Sequence, residues 1–441
     1  MTIPQDKREQ AVSWLVNYLK IDTTNPPGNE KTAADYLLDL LQSEGFSAQY
    51  FPTAPDRGNV LAILKADKPE GRPILLQHHM DVVTADPESW THAPFSGEIA
   101  DGYIYGRGAI DMKSFGIMAL AAMSQIRSRQ EPLKRDLIYL AVSDEEMGAE
   151  FGTGWMVENQ WDLLQPEFVW DEGAFGLEGM FGIDATFFVA VAEKQTVWTK
   201  MIAHGEPGLA SVPHGNNPVL TLTHALRKLE EHPFSPRLTG VTQEMFRRIG
   251  AKSKLPVSFL LNHLSNPLVW RLMQKTLSDS PLVSAMLRNL ATPTQLSGSA
   301  KENVIPETAQ VTLDLRLLPD EDPQAVIRQL EAIVADDRIE FQLPETTHQS
   351  SVSDFTGPFF TALEETLHDR FPAALVTPIL TPGGTDSLFY RQKGVNAYGL
   401  VPILIENAEV DRMHGIDERI SIENLGLGID IMTGVLEKLC L

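Results

Sequence analysis

An apolar strand that ends in two histidines and a carboxylate is the feature that most constrains the fold of this chain. The segment PILLQHHMDVVTA, residues 73–85, reads as a buried strand because aliphatic and β-branched residues flank its polar centre. That centre holds His78, His79 and Asp81, and unpaired polar groups in a buried strand cost free energy. We therefore expect partners for these side chains from elsewhere in the chain.

Further clusters of acidic or imidazole side chains follow predicted strands or lie in Gly-rich turns. They are GRGAIDMK with Asp111, VSDEEMGAE with Asp144, Glu145 and Glu146, WDEG with Asp171 and Glu172, and MHGIDERI with His414. Each cluster alone is more often a solvated loop, a turn or a helix N-cap. Several carboxylates in one place would repel one another without a cation, and imidazole with carboxylate suits Zn²⁺ or a similar divalent ion.

The order of predicted helices and strands favours an α/β sheet domain that is interrupted by an inserted module. In the outer parts, strands are predicted at 59–65, 73–83, 136–143, 168–173 and 395–401, and helices at 30–44, 115–127, 358–370 and from 423. In the middle, strands are predicted at 197–205, 310–319 and 338–343, helices at 217–231 and 322–337 with Asp322 as N-cap, and an irregular or helical stretch at 235–300. We expect residues 1–195 and 347–441 to form one domain and residues 196–346 the other.

Composition narrows the class of protein. A chain of 441 residues is too long for one average domain. The net charge of −23 argues against nucleic acid or an anionic membrane as a partner. The single cysteine, Cys440, excludes an internal disulfide framework and a cysteine-based metal site. The start, MTIPQDKREQ, lacks the apolar region of a secretory signal, and no apolar run could span a bilayer, so we expect a cytoplasmic protein.

The sequence resembles the M20 family of zinc-dependent metallopeptidases and aminoacylases. The resemblance rests on QHHMDVV, GRGAIDMK, SDEEMG, WDEG, ENVIPETAQVTLDLRLLP, TPGGTDSLF and MHGIDERI, which appear in the family's order over almost the whole chain. The insertion near 235–300 is similar to the branch of carboxypeptidase S and N-acyl-amino-acid hydrolases. The implied fold is a two-domain α/β protein: a mixed-sheet zinc-peptidase catalytic domain with an inserted α+β, ferredoxin-like lid and dimerisation domain.

The resemblance also implies a site for two divalent metal ions per chain. Zinc is the first expectation, and cobalt or manganese would suit the same ligands. The implied metal ligands are His79, Asp111, Glu146, Glu172 and His414. Asp111 would bridge the two ions, with His79 and Glu172 on one ion and Glu146 and His414 on the other. In this family the peptide bond after the bridging aspartate is often cis.

Two more residues would act beside the metal ligands. His79 and Asp81 lie on one face of the predicted strand because side chains alternate, so Asp81 would orient the imidazole of His79. Glu145 matches the family's general base, which would take a proton from a metal-bound water, so that a hydroxide nucleophile is formed, and deliver the proton to the leaving amine. His78 points to the opposite face of the strand, and we expect it to be structural.

The resemblance places substrate-binding residues in the inserted module and in one Gly-rich loop. Asn303 and Arg316 match such positions, and Arg316 would clamp a substrate carboxylate. The alternative for Arg316 is a salt bridge on the strand surface. Gly384 and Thr385 match a loop whose backbone N–H groups face the substrate carboxylate, and the alternative there is a plain tight turn.

One position departs from the family pattern. The family carries a lid histidine that donates to the oxyanion, and Leu209 stands at the matching position of HGEPGLASVPHGNNP. Leucine cannot donate a hydrogen bond. We expect Asn303 or His214 to serve the oxyanion, with Leu209 widening an apolar contact for a bulky acyl or aromatic substrate. The alternative is that His204 and His214 are surface loop histidines.

The function implied by the resemblance is hydrolysis of an amide bond in an N-acyl amino acid or short peptide with a free carboxylate. A homodimer through the lid is a further implication. Two alternatives stay open: a dipeptidase or aminopeptidase of the same fold, and a metal-dependent binding protein whose catalysis has been lost. Glu145 beside Glu146 counts against the binding protein, because binding alone needs no free base.

Overall fold

The chain forms helices and strands in alternation over most of its length. A computed structural model describes residues 4–344 and 351–441. The helices are α1 Gln5–Leu19, α2 Lys31–Ser43, α3 Lys113–Ser128, α4 Thr153–Asn159, α5 Trp161–Leu164, α6 Pro218–Glu231, α7 Gly240–Lys252, α8 Val257–Asn262, α9 Pro267–Ser278, α10 Pro281–Leu287, α11 Pro323–Val334, α12 Pro358–Arg370, α13 Ser387–Gln392, α14 Asn407–Val410 and α15 Ile422–Cys440. The strands are β1 Ala48–Ala54, β2 Arg57–Leu64, β3 Ile74–His79, β4 Ile99–Ala100, β5 Tyr103–Tyr105, β6 Leu137–Val142, β7 Phe168–Glu178, β8 Ala185–Glu193, β9 Gln195–His204, β10 Gly208–Leu209, β11 Leu290–Ser297, β12 Val304–Ile305, β13 Thr308–Leu317, β14 Ile339–Gln342, β15 Leu375–Thr381, β16 Asn396–Ile405 and β17 Arg419–Ser421.

The largest sheet is mixed and carries the strand with the two histidines at its centre. Its strand order is β1-β2-β6-β3-β7-β16-β8-β15. β3 pairs in parallel with β6 on one side and with β7 on the other. The carboxyl ends of these three strands therefore lie side by side, which is where ligands bind in open α/β sheets. The prediction of an α/β fold with a mixed sheet is confirmed.

Helices cover both faces of this sheet, and the alternation of side chains in β3 divides its residues between the two faces. Leu76 joins the core on the side of α3 and α15, whereas Leu75 joins the core on the side of α4 and α13. His78 therefore belongs to the α3 side and His79 to the α4 side. The two neighbouring histidines thus lie in different environments.

His78 has a structural environment, as expected. Its Nε2 lies 3.3 Å from the hydroxyl of Tyr18, and its ring lies 5.3 Å from that of Tyr139. A Cβ atom at Gly116 of α3 would lie 2.3 Å from this Nε2, so only glycine leaves room for the ring. Burial and the neighbouring His79 lower the pKa of His78 to about 3, so it stays neutral.

The middle of the chain forms a second, antiparallel sheet with its own apolar core. Its strand order is β11-β13-β9-β14, and α6 and α11 pack against it. In chain order these strands are second, third, first and fourth, and with the two helices they make a βαββαβ unit. Its core includes Met201, Leu313 and Leu330. The division into two domains stays a prediction, and the predicted boundary between residues 346 and 347 lies outside the described residues.

The stretch predicted as irregular or helical is mostly helical. It contains α7 to α10 and then β11, which the sequence pattern did not predict. Trp270 and Met273 of α9 pack against the main core. Across the described ranges, no helix combines the length and the apolar character that crossing a membrane would require.

Of the predicted strand limits that differ from those observed, two lie at the polar clusters. β3 ends at His79 and not at residue 83, and Val82 forms only an isolated bridge with Thr24. β7 continues from the predicted limit of 173 to Glu178. Asp171 and Glu172 therefore lie inside a strand, which excludes the alternative that they cap a helix.

Candidate metal centre

His79 is the side chain around which the cluster is built. It ends β3 and is 1% exposed. Its Nδ1 lies 2.9 Å from the backbone carbonyl of Asp81, and because a carbonyl only accepts, Nδ1 carries the proton. Nε2 is then the ring nitrogen that is left to bind a cation, and it points toward two carboxylates. This is the tautomer that an Nε2 metal ligand needs.

Asp111 lies between two histidines from distant parts of the sequence. Its Oδ1 is 2.9 Å from Nε2 of His79, and its Oδ2 is 2.9 Å from Nε2 of His414. The peptide bond to Met112 is cis, as the resemblance led us to expect. Each carboxylate oxygen thus faces a different imidazole, which is the geometry of a bridging ligand.

Three glutamates complete the cluster. Oε1 of Glu172, from β7, is 3.6 Å from Nε2 of His79. Oε1 of Glu146, which follows β6, is 3.4 Å from Nε2 of His414. Glu145 lies with His79 and Glu172 in a group whose ligand atoms are all within 4.8 Å of one another. All five predicted ligands and the predicted base are therefore brought together.

The cluster concentrates charge that its own side chains do not balance. Burial and repulsion from Asp111 raise the pKa of Glu172, and burial and repulsion from Glu172 raise that of Glu145. The hydrogen bond with Asp111 raises the pKa of His414 to about 10. For His79, burial opposes protonation, but Glu172 and Asp111 outweigh it and raise the pKa. Crowded carboxylates with imidazole nitrogens are the donor set that a divalent cation suits.

Asp81 acts through different atoms from those expected. The prediction had its carboxylate orienting His79, but Oδ1 lies 3.7 Å from Nδ1, and the backbone carbonyl of Asp81 accepts the hydrogen bond instead. The carboxylate accepts the backbone N–H groups of Glu145 and Glu146, both at 3.2 Å. It also accepts from Nδ2 of Asn25 at 2.9 Å. Asp81 therefore positions both His79 and the turn that carries the two glutamates.

A second buried carboxylate, which the sequence analysis did not single out, holds the loop of Asp111. Glu418 accepts hydrogen bonds from the backbone N–H groups of Gly108, Ile110 and Asp111, at 3.0, 2.7 and 3.1 Å. Its other partner is the guanidinium of Arg107, at 2.8 Å. The available signal was its place in MHGIDERI, four residues after His414.

Arg316 forms the strand-surface salt bridge that was the alternative to a substrate clamp. Its Nε lies 3.0 Å from Oδ1 of Asp314, and its Nη1 donates to Oγ1 of Thr196 at 2.8 Å. The same Thr196 lies beside the Gly-rich loop, because a Cβ atom on Gly384 would be 3.7 Å from its Oγ1. Arg316 and Gly384 therefore both lie close to the hydroxyl of Thr196.

Thr385 is placed near the cluster, but its backbone N–H already has a partner. Its Cγ2 is 3.8 Å from the position of a Cβ atom on Gly173, the residue after Glu172. Its N–H donates to Oε2 of Glu193 at 2.6 Å, and Glu193 is paired with Arg391 at 2.6 Å. We expected this N–H to face a substrate carboxylate. That expectation needs correction in this structure, because the N–H already donates to the buried carboxylate of Glu193.

The next residue in this loop is a buried acid that the sequence analysis passed over. Asp386 accepts a hydrogen bond from Nε2 of Gln77 at 3.2 Å. Burial and repulsion from Asp171 raise its pKa. Asp171 in turn accepts from the hydroxyl of Ser387 at 3.0 Å. The signal for Asp386 was its position directly after the Gly-Gly-Thr turn of TPGGTDSLF.

Leu209, Asn303 and His214 lie together around the short ladder of β10 and β12. Leu209 pairs with Val304 in the short ladder of β10 and β12, and its side chain is 63% exposed. The carbonyl of Asn303 accepts from the backbone N–H of Ala210 at 3.1 Å. Nε2 of His214 is buried without a hydrogen bond among the described residues. Their roles at the oxyanion stay predictions.

Comparison with known proteins agrees with the resemblance. A family model described as "Peptidase family M20/M25/M40" matches residues 75–438, a range that contains the whole cluster. The chain is 31% identical over 361 residues to probable carboxypeptidase S-like 2 of Dictyostelium discoideum, covering 80% of this chain and 69% of that one. It is 32% identical over 363 residues to N-fatty-acyl-amino acid synthase/hydrolase PM20D1 of Xenopus tropicalis, covering 80% and 70%.

A solved structure shares the fold. The M20 family metallo-carboxypeptidase Sso-CP2 from Sulfolobus solfataricus superposes with a TM-score of 0.71 at 20% identity, covering 98% of this chain and 99% of that one. The family match spans most of the sequence, and both relatives are more than 30% identical over 80% of this chain. This chain belongs to peptidase family M20/M25/M40 and is a hydrolase that acts on amide bonds.

Proposed function

We propose that this protein is a dinuclear-metal amidohydrolase that cleaves N-acyl amino acids or short peptides with a free carboxylate. The observation that carries this proposal is the position of Asp111, with one oxygen 2.9 Å from Nε2 of His79 and the other 2.9 Å from Nε2 of His414. A carboxylate with two separately directed oxygens suits a bridge between two cations. The relatives named above include a hydrolase of N-fatty-acyl amino acids.

The donor set fits two divalent ions that share Asp111. His79 and Glu172 would complete one site, and Glu146 and His414 would complete the other. Nitrogen and carboxylate oxygen are ligands that zinc accepts, and cobalt or manganese fit the same set. When bound, the ions would polarise the amide carbonyl and make a bound water more acidic.

Glu145 moves the proton in the reaction we propose. Its carboxylate takes a proton from the attacking water, whose oxygen bonds to the amide carbon. When the carbon–nitrogen bond breaks, Glu145 returns that proton to the leaving nitrogen, so an amine and a carboxylic acid are formed. The acid then gives its proton to the amine, which leaves a carboxylate and an ammonium group. The carboxylate of Asp81 accepts the backbone N–H of Glu145 at 3.2 Å, and so fixes the position of the base relative to His79.

The free carboxylate of the substrate would bind next to Thr196. The guanidinium of Arg316 and the exposed turn of Gly384 both lie close to the hydroxyl of Thr196. A guanidinium and a Gly turn are both groups that bind carboxylates. Arg316 would exchange part of its contact with Asp314 for the substrate. Asn303 or His214 would serve the oxyanion, if a lid movement or a second copy of the chain brings them to the cluster.

Hydrolysis of an N-acyl amino acid, measured with and without a chelator, tests the proposed function. We expect amine release from N-acyl amino acids of both short and long acyl chains, loss of turnover after chelation, and recovery when zinc is added back. A dipeptide with a free amine distinguishes the aminopeptidase alternative, which would prefer it. Turnover that is unchanged in metal-free protein would refute a metal-dependent reaction.

Replacing Arg316 by Gln tests the substrate carboxylate. We expect kcat/KM for an N-acyl amino acid to fall by about tenfold or more, because a hydrogen-bonded charge is lost. The N-acyl amino acid amide, which lacks the carboxylate, should be a poor substrate for both proteins. Arg338→Gln is the matched control. Like Arg316, Arg338 is a surface arginine whose guanidinium donates hydrogen bonds to the carboxylate two residues before it, here Asp336. Equal effects of both substitutions would contradict the clamp.

A further inference from the structure

Three short helices of the insertion expose an unusual number of large apolar side chains. The stretch 252–288, which we call the apolar–basic segment, contains α8, α9 and α10. The exposed apolar side chains are Leu255, Val257, Phe259, Leu268, Leu272 and Leu282. Scattered single residues of this kind are ordinary on a protein surface, but a group of them in one short segment marks an interaction site.

α9 has an outward apolar face in addition to the face that packs on the protein. The side chains that pack on the main core are Val269, Trp270, Met273 and Leu277. On the other side, Leu268 is 80% exposed and Leu272 is 67% exposed. With 3.6 residues per turn, Leu268, Arg271, Leu272 and Lys275 share this outward face. Leucine and basic side chains therefore interleave toward solvent.

The charge of this segment is opposite to that of the chain as a whole. Its charged residues are Lys252, Lys254, Arg271, Lys275, Arg288 and a single acid, Asp279. The whole chain has a net charge of −23. Within the part of the chain that the structure describes, Arg271 and Lys275 have no side-chain ion pair, so their charges are available to a partner. An anionic partner would be repelled by most of the surface and attracted here.

We propose that the apolar–basic segment binds the surface of a lipid membrane that carries anionic headgroups. Leu268 and Leu272 would enter the interface, while Arg271 and Lys275 would contact headgroup phosphates. Leucines at i and i+4 between basic residues are typical of helices that lie in the membrane interface. The expectation of no membrane partner rested on the net charge of the whole chain. That value does not show that the charge is unevenly distributed and that this segment is basic. This binding is independent of the proposed amidohydrolase reaction.

Sedimentation with lipid vesicles tests the proposal on the full chain. The probes are vesicles of phosphatidylcholine alone and vesicles of equal parts phosphatidylcholine and phosphatidylglycerol. We expect the protein to sediment with the anionic vesicles and to bind the neutral ones at least about fivefold more weakly. This factor is the gain in affinity that one basic residue contributes at an anionic surface. Added salt should weaken the binding, because it screens these charges.

Paired substitutions separate the apolar and the basic contributions. Leu268→Ser with Leu272→Ser should weaken binding to anionic vesicles by about tenfold or more, because two side chains no longer enter the interface. Arg271→Gln with Lys275→Gln should remove the preference for anionic lipid. The matched control is Ile99→Ser with Leu296→Ser, which also replaces exposed apolar residues but lies outside the segment. Thermal unfolding of each variant verifies that it is folded.

Three results would overturn the proposal. The first is parent protein that stays in solution with anionic vesicles. The second is a control pair that weakens binding as much as the Leu268 and Leu272 pair does. The third is a dimer of the parent protein, measured by light scattering, that dissociates when Leu268 and Leu272 are replaced by Ser, while no vesicle binding is found. The segment would then bind a second copy of the chain.

Discussion

Replacing Glu145 by Gln should lower turnover of an N-acyl amino acid by about 10²–10⁴-fold, which is the usual contribution of a general acid–base group. Gln has nearly the same shape but cannot accept the proton of the attacking water or return it to the leaving nitrogen. Metal content, measured by elemental analysis, should stay at the level of the parent, since the five proposed ligands are intact. KM should change little, because the substrate carboxylate binds elsewhere.

The matched control is Glu150→Gln in the same loop. Glu150 is exposed and lies outside the cluster. We expect this variant to retain the turnover and the metal content of the parent. If Glu145→Gln turned over substrate as fast as Glu150→Gln, Glu145 would not be the base. A loss of metal in Glu145→Gln would instead make it a ligand.

Replacing Asp111 by Asn should remove most activity together with at least one of the two proposed metal ions. Asn keeps the size of the side chain, but its amide nitrogen cannot bind a cation, so only one of the two directed oxygens remains. His79 and His414 would then share no ligand. The measurement is metal content after dialysis against buffer with a trace of zinc, together with turnover at saturating substrate.

Asp101→Asn is the control for this loss. Asp101 is exposed in a turn just before the Asp111 loop, so the same chemical change is made outside the cluster. We expect full metal content and full turnover. An Asp111→Asn protein that still held two ions through dialysis would rule out the bridging role, whatever its turnover.

Three of the strands that the sequence analysis missed share a physical reason. β1 and β15 are the two edges of the large sheet, and β11 is an edge of the smaller one. Each contains a proline, Pro52, Pro378 and Pro293 respectively. Proline has no N–H to donate to a β-ladder, but it is tolerated in edge strands. A prediction that treats proline as a strand breaker therefore fails to detect these strands. The central strands β3, β6 and β7, which contain no proline, were predicted. β8 also lies inside the sheet and contains no proline, but the sequence analysis did not predict it.

The cluster of proposed metal ligands could be predicted because several of its members follow strands whose positions were predicted. The carboxyl ends of β3, β6 and β7 meet in space, so His79, Glu146 and Glu172 had to approach one another. The partners that hold the loops could not be predicted in this way. The hydrogen bond from Thr385 to Glu193 joins residues that are 192 apart in sequence, and only the completed fold brings them together.

The separation of His79 from His414 along the chain also orders events during synthesis. Asp111 and His414 are 303 residues apart, yet Asp111 directs one oxygen to each histidine. A polypeptide still growing on the ribosome holds His79, Asp111, Glu146 and Glu172 long before His414 exists. The second proposed ion would therefore have no complete set of ligands until translation passes residue 414, and the proposed hydrolysis would begin only when nearly all of this sequence has been made.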